Sequence, residues 1–189
     1  MKAVMLDVPQ PLLAERHRLG LDVFDEVWEG VLHMVPPPSS NHQLVGTGLT
    51  VVLSQAATRR GLVLTYETGL FAADDDYRVP DLIASRPEDR SHRGVDGTAA
   101  FVVELLSPRD ESYEKLPWYA AHHVDEILIV DPVSRHIELY SGRSGAPIPI
   151  EPDPAGSYTL ATIGARLSTI NIDDGPRLRV EVDGVVTDV

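Results

Sequence analysis

The sequence predicts a single domain of α/β class, in the mixed α+β sense. Helical patterns occupy the first third of the chain, and strand patterns occupy most of the remainder. The length of 189 residues supports one sizeable hydrophobic core and is short for two. Hydrophobic residues make up 43% of the chain and charged residues 24%, which is the balance of a soluble globular domain. We therefore expect one domain over residues 1–189.

Several absences narrow the class of protein. No run of about 18 or more apolar residues occurs, so no membrane span is predicted. The N-terminal residues lack the apolar core and the small-residue cleavage site of a signal peptide. The chain contains no cysteine, which excludes disulfides and thiolate metal sites. Together these features predict a cytoplasmic protein.

The first third of the chain predicts two helices and a strand. The first helix covers about residues 10–20 and ends near Gly20. A strand over residues 31–35 is stopped by the prolines at 36–38. A second helix is capped by Ser39, Ser40 or Asn41 and runs to about Arg60. Its apolar residues fall at helical spacing on one face: Leu44, Val45, Leu49, Val52, Leu53 and Ala56.

The remainder predicts mainly strands. They are expected at 62–67, 69–73, 79–85, 99–106, 126–131 and 135–141. A polar turn is expected at 74–76, and a helix at about 111–123 is interrupted by Pro117. Residues 146–189 contain several prolines and short alternating pieces. They predict a C-terminal β extension at the edge of the same domain.

The net charge of −13 argues against a protein that coats nucleic acid nonspecifically, because such binding relies on cationic contacts with phosphate. A local basic groove is one interpretation of the arginines that lie between or beside the acidic strands, and scattered solvated arginines are the other. They are Arg59, Arg60, Arg86, Arg90, Arg93 and Arg109.

Two carboxylates lie on segments that predict buried or stiff backbone. Asp81 follows Pro80 at the head of an apolar strand. Glu104 interrupts a run that is apolar on both faces, which indicates an interior strand. A buried carboxylate is costly unless it is protonated, paired or bound to a metal. A salt bridge to an arginine is the structural alternative to a functional role for Glu104.

Lys115 is the only lysine beyond position 2, whereas the chain has 14 arginines. An arginine serves an ordinary surface as well, so a single internal lysine suggests a position that needs a compact ammonium group. If Lys115 joins Asp81 and Glu104, the three residues would form a Mg²⁺ (or Mn²⁺) site that cleaves phosphodiester bonds. The alternative is an exposed lysine paired with Glu111 one helical turn earlier.

The order of short motifs resembles the Uma-type restriction endonuclease family of the PD-(D/E)XK nuclease superfamily. The resemblance covers about residues 10–145, and a set of ordered motifs is more specific than any one of them. The motifs are Glu26-Val27-Trp28-Glu29-Gly30, Pro36-Pro37-Pro38-Ser39 with His42, Val79-Pro80-Asp81-Leu82, Val103-Glu104-Leu105-Leu106-Ser107-Pro108, Glu114-Lys115 with Tyr119-Ala120, and Ile129-Val130-Asp131-Pro132.

The resemblance implies a restriction-endonuclease-like core with a central mixed sheet flanked by helices, a Mg²⁺-dependent DNA nuclease site and a homodimer. By motif position, Asp81 and Glu104 would be the metal ligands. The superfamily lysine is expected two residues after the glutamate, where this chain has Leu106, so Lys115 would replace it from the following helix. Glu26 or Glu29 would supply a further acid.

Three readings of function follow. The first is a metal-dependent DNA endonuclease with Asp81, Glu104 and Lys115 as catalytic residues. The second is a noncatalytic interaction module on a nuclease fold, which the acidic charge favours. The third is a hydrolase of another phosphoester that uses the same metal centre.

Overall fold

The computed structural model describes residues 4–5, 9–20, 22–108 and 111–189. Three α-helices lie in these ranges: α1 (Gln10–Arg18), α2 (Ser40–Arg59) and α3 (Ser112–Ala121). The strands that precede α3 are β1 (Val4–Met5), β2 (Glu26–Trp28), β3 (Val31–His33), β4 (Val63–Tyr66), β5 (Leu70–Ala73), β6 (Asp76–Arg78), β7 (Leu82–Ser85), β8 (Val95–Asp96) and β9 (Phe101–Leu105). The later strands are β10 (Glu126–Val130), β11 (Ile137–Ser141), β12 (Ile148–Ile150), β13 (Tyr158–Leu160), β14 (Ala165–Ile172), β15 (Gly175–Val182) and β16 (Val185–Asp188).

A mixed six-stranded sheet forms the centre, in the order β12-β11-β10-β9-β7-β4. The β9 and β10 strands are parallel, and the other neighbours are antiparallel. Every residue of β7, β9 and β10 is buried, which requires cover on both faces of the sheet. The predicted central mixed sheet flanked by helices is therefore confirmed.

The two faces of this sheet have separate hydrophobic cores. Phe101, Val103 and Leu105 pack toward α2 and the C-terminal strands. Val102, from the opposite face of β9, packs with the helix α3 residues Leu116 and Tyr119. Because side chains alternate along a strand, Glu104 shares the face of Val102 and lies toward α3.

Two further sheets complete the fold. One has the order β1-β3-β2-β6-β5-β8, and the other is the antiparallel sheet β13-β14-β15-β16. The predicted C-terminal β extension is confirmed: β12 joins the edge of the central sheet, and β13–β16 follow it. The β13–β16 strands form a sheet of their own, because their apolar residues pack into the core beneath α2. These residues are Leu160, Ala165, Leu167, Leu178, Val180 and Val182.

The second helix begins where its sequence predicts. The Ser39 side chain accepts a hydrogen bond from the backbone N–H of His42 at 3.3 Å, which caps the helix. The predicted apolar face is correct for Val45, Leu49, Leu53 and Ala56, but wrong for Leu44, whose side chain is 65% exposed.

Three other element predictions are wrong in detail. The strand predicted from Val79 begins only at Leu82, since Pro80 has no N–H to donate to a ladder. Asp76 was predicted to lie in a turn but begins β6, which pairs with β2 and β5. Pro117 lies inside α3 and does not end it. No helix in the described part of the chain is both long and apolar enough to cross a bilayer.

Candidate metal centre

A cavity of about 280 Å³ opens where the ends of β7 and β9 meet α2, α3 and the β2–β3 hairpin. Its polar lining consists of five carboxylates, one lysine, one histidine and three serines. They are Glu26, Glu67, Asp81, Glu104, Glu111, Lys115, His42, Ser39, Ser107 and Ser112. Asp81, Glu104 and Lys115, which the sequence singled out, therefore line one cavity.

Strand register brings Asp81 and Glu104 together. Leu82 pairs with Val103 in the antiparallel β7–β9 ladder, so Asp81 and Glu104 occupy the next opposed position. Asp81 lies at the mouth, where its Oδ2 accepts a hydrogen bond from the Leu105 N–H at 2.6 Å. Glu104 lies deeper and is only 3% exposed.

Lys115 projects from α3 into the acidic cluster. Its Nζ lies 2.8 Å from Glu26 Oε1 and 3.2 Å from both carboxylate oxygens of Glu104. The predicted alternative of an exposed pair with Glu111 does not describe this geometry, because Lys115 is 9% exposed and Glu111 is bound to His33 at 2.8 Å. The lysine thus joins two elements that are distant in sequence.

Of the two upstream acids, Glu26 lies in the cluster and Glu29 does not. Glu26 is 2% exposed, and it also accepts hydrogen bonds from the Val79 N–H and from Trp28 Nε1. Glu29 lies in the exposed turn that follows β2, with a positive φ of 50°. It is not among the residues that line the cavity.

The cluster holds more negative than positive charge, and Glu104 shows the effect. Burial raises the pKa of Glu104 to about 8, and the charges of Asp81 and Glu26 add to this, although Lys115 and a hydrogen bond from Tyr119 oppose it. Burial would lower the pKa of Lys115, but Glu104 and Glu26 outweigh it and raise that pKa above its ordinary value. Burial therefore disfavours the charged form of Glu104, whereas the neighbouring acids favour the ammonium form of Lys115.

His42 and Glu67 are site residues that the sequence reasoning passed over. His42 Nε2 lies 3.1 Å from Asp81 Oδ1, and its Nδ1 is buried without a hydrogen-bond partner among the described residues. Burial disfavours the charged ring, but the bond to Asp81 and the charges of Asp81, Glu67 and Glu104 together outweigh it and raise the pKa of His42. His42 lies in the first turn of a predicted helix, where a polar residue is common. No local signal therefore marked it as a site residue.

Glu67 occupies the bend between β4 and β5 with a positive φ of 46°, a conformation that costs energy for a residue other than glycine. Its N–H donates to the Asp81 carbonyl at 2.8 Å, and its side chain accepts from Gln43 at 3.0 Å. Burial raises the pKa of the Glu67 carboxyl. Glu67, from the bend after β4, therefore lines the cavity together with Asp81.

The donor set fits a hard divalent cation. Mg²⁺ takes one or two carboxylates and keeps several waters, and Asp81 and Glu104 supply two carboxylates that line one cavity. Burial and the neighbouring acids raise the pKa of Glu104, and a cation would compensate the negative charge of such a cluster. No preformed group of three or more metal-ligating side chains occurs among the described residues, so water would complete the coordination.

The arginines in the described ranges do not form a groove at this cavity. Arg59 is paired with Asp183, and Arg93 with Asp74 and Asp96. None of the arginines in the described ranges lines the cavity. Arg109 lies outside the described residues. The interpretation of scattered arginines therefore fits the described part of the chain better than that of a basic groove.

Comparison with known proteins places this geometry in context. The Uma2 family model, whose description is "Putative restriction endonuclease", matches residues 18–168. A crystal structure of a putative nuclease belonging to DUF820 from Anabaena variabilis ATCC 29413 is 18% identical. The match has a TM-score of 0.54 and covers 63% of this chain and 72% of that chain. This likeness shows a shared fold.

A second solved structure is more distant. The cryoEM structure of a DrdV–DNA complex is 17% identical, with a TM-score of 0.38 over 58% of this chain and 10% of that chain. No curated protein sequence matches the chain.

Proposed function

The chain belongs to the Uma2 family of putative restriction endonucleases, and on this basis we propose that it is a Mg²⁺-dependent DNA endonuclease that hydrolyses phosphodiester bonds. The observation that carries the proposal is the convergence of Asp81, Glu104 and Lys115 in one cavity. Family membership alone gives the class of enzyme. The cluster supplies the groups that phosphodiester hydrolysis requires.

Asp81 and Glu104 would hold the cation. When bound, Mg²⁺ would polarise the scissile phosphate and lower the pKa of the attacking water. Asp81 is held in place by His42 Nε2 and by the Leu105 N–H, so its carboxylate is oriented before any ligand arrives. The hydroxyl of Tyr119 donates to Glu104 and orients the second carboxylate in the same way.

Lys115 would act as an electrostatic group and not as a base. Because Glu104 and Glu26 raise its pKa, the amine carries a proton and has no lone pair to accept another. It would donate hydrogen bonds to a phosphate oxygen and stabilise the negative charge that develops during attack. Glu26, held by Trp28 and Val79, keeps the amine close to Glu104.

Calorimetric titration and plasmid nicking test this proposal together. We expect Mg²⁺ or Mn²⁺ binding and metal-dependent nicking by the wild-type protein, and loss of both in Asp81→Asn and Glu104→Gln. Glu88→Gln is the matched control, since Glu88 is an exposed acid on a short 3₁₀ turn outside the cavity. An absence of metal binding at millimolar concentration would favour the noncatalytic interaction module.

The same metal centre on another phosphoester is the third reading. A panel of non-nucleotide phosphodiesters and phosphomonoesters separates it from the endonuclease. Hydrolysis of these compounds by a protein that leaves DNA intact, with the same dependence on Asp81, would replace DNA as the substrate.

A further inference from the structure

The cavity has an apolar wall as well as its acidic floor. The wall consists of Phe24, Met34 and the three consecutive prolines Pro36–Pro38, with Val79 and Pro108 completing it. Phe24, Met34 and Pro38 are half-buried, while Pro36 and Pro37 are exposed. Apolar side chains therefore stand beside the polar groups that would act on a phosphate.

This wall is fixed before any ligand binds. Proline rings lock the backbone φ angle of residues 36–38. The preceding Val35 N–H donates to Asp25 Oδ1 at 3.1 Å, and Asp25 is itself paired with Arg16 at 2.6 Å. Asp25 is 4% exposed, so this anchor is shielded from water. A rigid apolar surface binds a flat ring at a lower entropic cost than a mobile one.

The charge of the site is unsuited to a clamp on duplex DNA. Duplex DNA carries one negative charge per about 1.7 Å, and proteins bind it by neutralising many phosphates. Five carboxylates line this cavity against Lys115 and His42. Eight described arginines are bound to carboxylates in ion pairs: Arg16, Arg18, Arg59, Arg78, Arg93, Arg143, Arg166 and Arg179.

The reactive groups are also recessed. Glu26, Glu104 and Lys115 are each at most 9% exposed, so a scissile phosphate has to enter the cavity to reach Lys115. A nucleotide in a duplex must first leave its stack, which costs pairing and stacking energy. An unpaired strand is free of that cost, and its bases gain contact energy on an apolar surface without sequence readout.

We propose that the site takes one nucleotide of an unpaired DNA strand, with its phosphate against Lys115 and its base against the wall of Phe24, Met34 and Pro36–Pro38. The inference rests on the proposed endonuclease function and names its substrate class. A single strand can bind with few cationic contacts, which suits the acidic lining of the cavity. Its unpaired base is free to contact the apolar wall.

Cleavage of three DNA substrates of one sequence tests the inference with the full chain in Mg²⁺ or Mn²⁺. They are a single strand, the perfect duplex, and a duplex with an internal unpaired loop. We expect the single strand and the loop to be cut faster than the duplex by a factor on the order of ten or more. We also expect a shallow salt dependence, since each neutralised phosphate of a single strand adds a slope of only about −0.7.

Variants of the wall supply the second arm. Phe24→Ala and Met34→Ala are expected to raise KM for the single strand several-fold while kcat changes less, because they remove ground-state contacts with the base. Val186→Ala is the control, since Val186 is 53% exposed and lies outside the cavity. Thermal melting verifies that each variant is folded. If Phe24→Ala does not fold, Met34→Ala still reports on the wall.

The outcomes separate this inference from the function on which it rests. Duplex cleavage at an equal or higher rate that still requires Asp81 overturns the inference and leaves the endonuclease intact. A strand preference that neither wall variant alters overturns the role of the wall. If the corresponding RNA strand is cut faster than DNA, the substrate class is wrong. If no DNA is cut and no metal is bound, the proposed function fails and this inference fails with it.

Discussion

Glu104 lies in a strand whose five residues are all buried, and it shares a single lysine with Glu26. Burial disfavours the charged form of a carboxylate. A lysine that is shared with a second acid compensates only part of this cost, so the protonated form of Glu104 is favoured. This explains why its pKa rises to about 8 although an ammonium group lies 3.2 Å away. In the proposed metal site, a bound cation would compete with a proton for Glu104.

The free energy of unfolding should depend on pH through the protonation of Glu104. The folded pKa of about 8 lies above the ordinary value of 4.5, so the contribution of Glu104 is fully present below about pH 4.5 and is lost as pH rises through 8. The free energy of unfolding, measured in urea at pH 5 to 9, should fall across this window by about 1–4 kcal/mol more in the wild type than in Glu104→Gln. Parallel curves for the two proteins would contradict this assignment.

Lys115 holds the acidic cluster together, and its loss should destabilise the fold. Lys115→Met leaves Glu26 buried without its cation, for which we expect a loss of about 3–5 kcal/mol of unfolding free energy in urea denaturation at pH 7. The double variant Lys115→Met/Glu26→Gln should recover part of this loss, because it removes the stranded acid. A loss below about 1 kcal/mol in the single variant would match an exposed lysine and argue against the buried cluster.

At the scale of elements, the first turn of α2 orients Asp81. His42 reaches Asp81 from this turn. The Ser39 side chain accepts a hydrogen bond from the His42 N–H and so caps the start of the turn. Ser39→Ala should reduce the free energy of unfolding by about 1 kcal/mol, since an N-terminal N–H loses its acceptor. Ser40→Ala is the matched control, because Ser40 is an exposed residue inside the helix with no capping bond. Equal effects of the two variants would refute the capping role.

Arg78 joins the sheet that carries Glu26 to the helix that carries Lys115. Its guanidinium lies between the rings of Trp28 and Trp118, 4.4 Å and 4.5 Å from their centroids, and pairs with Asp76 at 2.9 Å. Trp28 in turn donates to Glu26 at 2.7 Å. Cation–π contacts of this kind are strong when water is excluded, and Arg78 is only 3% exposed.

Arg78→Met should therefore cost about 3 kcal/mol of unfolding free energy, measured by chemical denaturation, because it breaks a buried ion pair and both ring contacts. The control is Arg143→Met, whose ion pair with Asp125 is exposed. It should cost less than about 1 kcal/mol. Similar losses in the two variants would show that the two tryptophans hold the elements together without the arginine.

At the scale of the whole molecule, the C-terminal sheet shares its hydrophobic core with α2 and the central sheet. Leu178 on β15 belongs to this core and is fully buried. We expect a single cooperative unfolding transition, in which tryptophan fluorescence and far-UV circular dichroism have the same midpoint. Trp28 and Trp118 report on the other side of the central sheet, so two separate midpoints would indicate two folding units.

Leu178→Ala should lower that common midpoint and reduce the free energy of unfolding by about 2–5 kcal/mol, because it opens a cavity in the shared core. Val185→Ala is the control on the neighbouring strand, where the side chain is 66% exposed. A variant in which only the circular dichroism transition moves would show that the C-terminal sheet unfolds by itself.

Local patterns were enough to predict much of the fold. The Ser39 cap, the apolar run around Glu104 and the prolines at 36–38 act over a few residues, and their elements lie close to the predicted positions. The pattern failed for Leu44, which has the helical spacing of the buried residues of α2 but is 65% exposed. Its exposure depends on which distant element packs against that side of the helix, and that information is absent from a short window.

The sequence by itself determined the family and the chemical types at the site, since motif order and the unusual Lys115 can be read along the chain. Only the tertiary structure decided which acids meet that lysine. It selected Glu26 over Glu29, and it brought His42 and Glu67 to Asp81. These contacts join residues 14 to 89 positions apart, through strand register and the packing of α3 on the sheet. Charges meet across such distances only when the folded core fixes them, so no local pattern encodes the pairing.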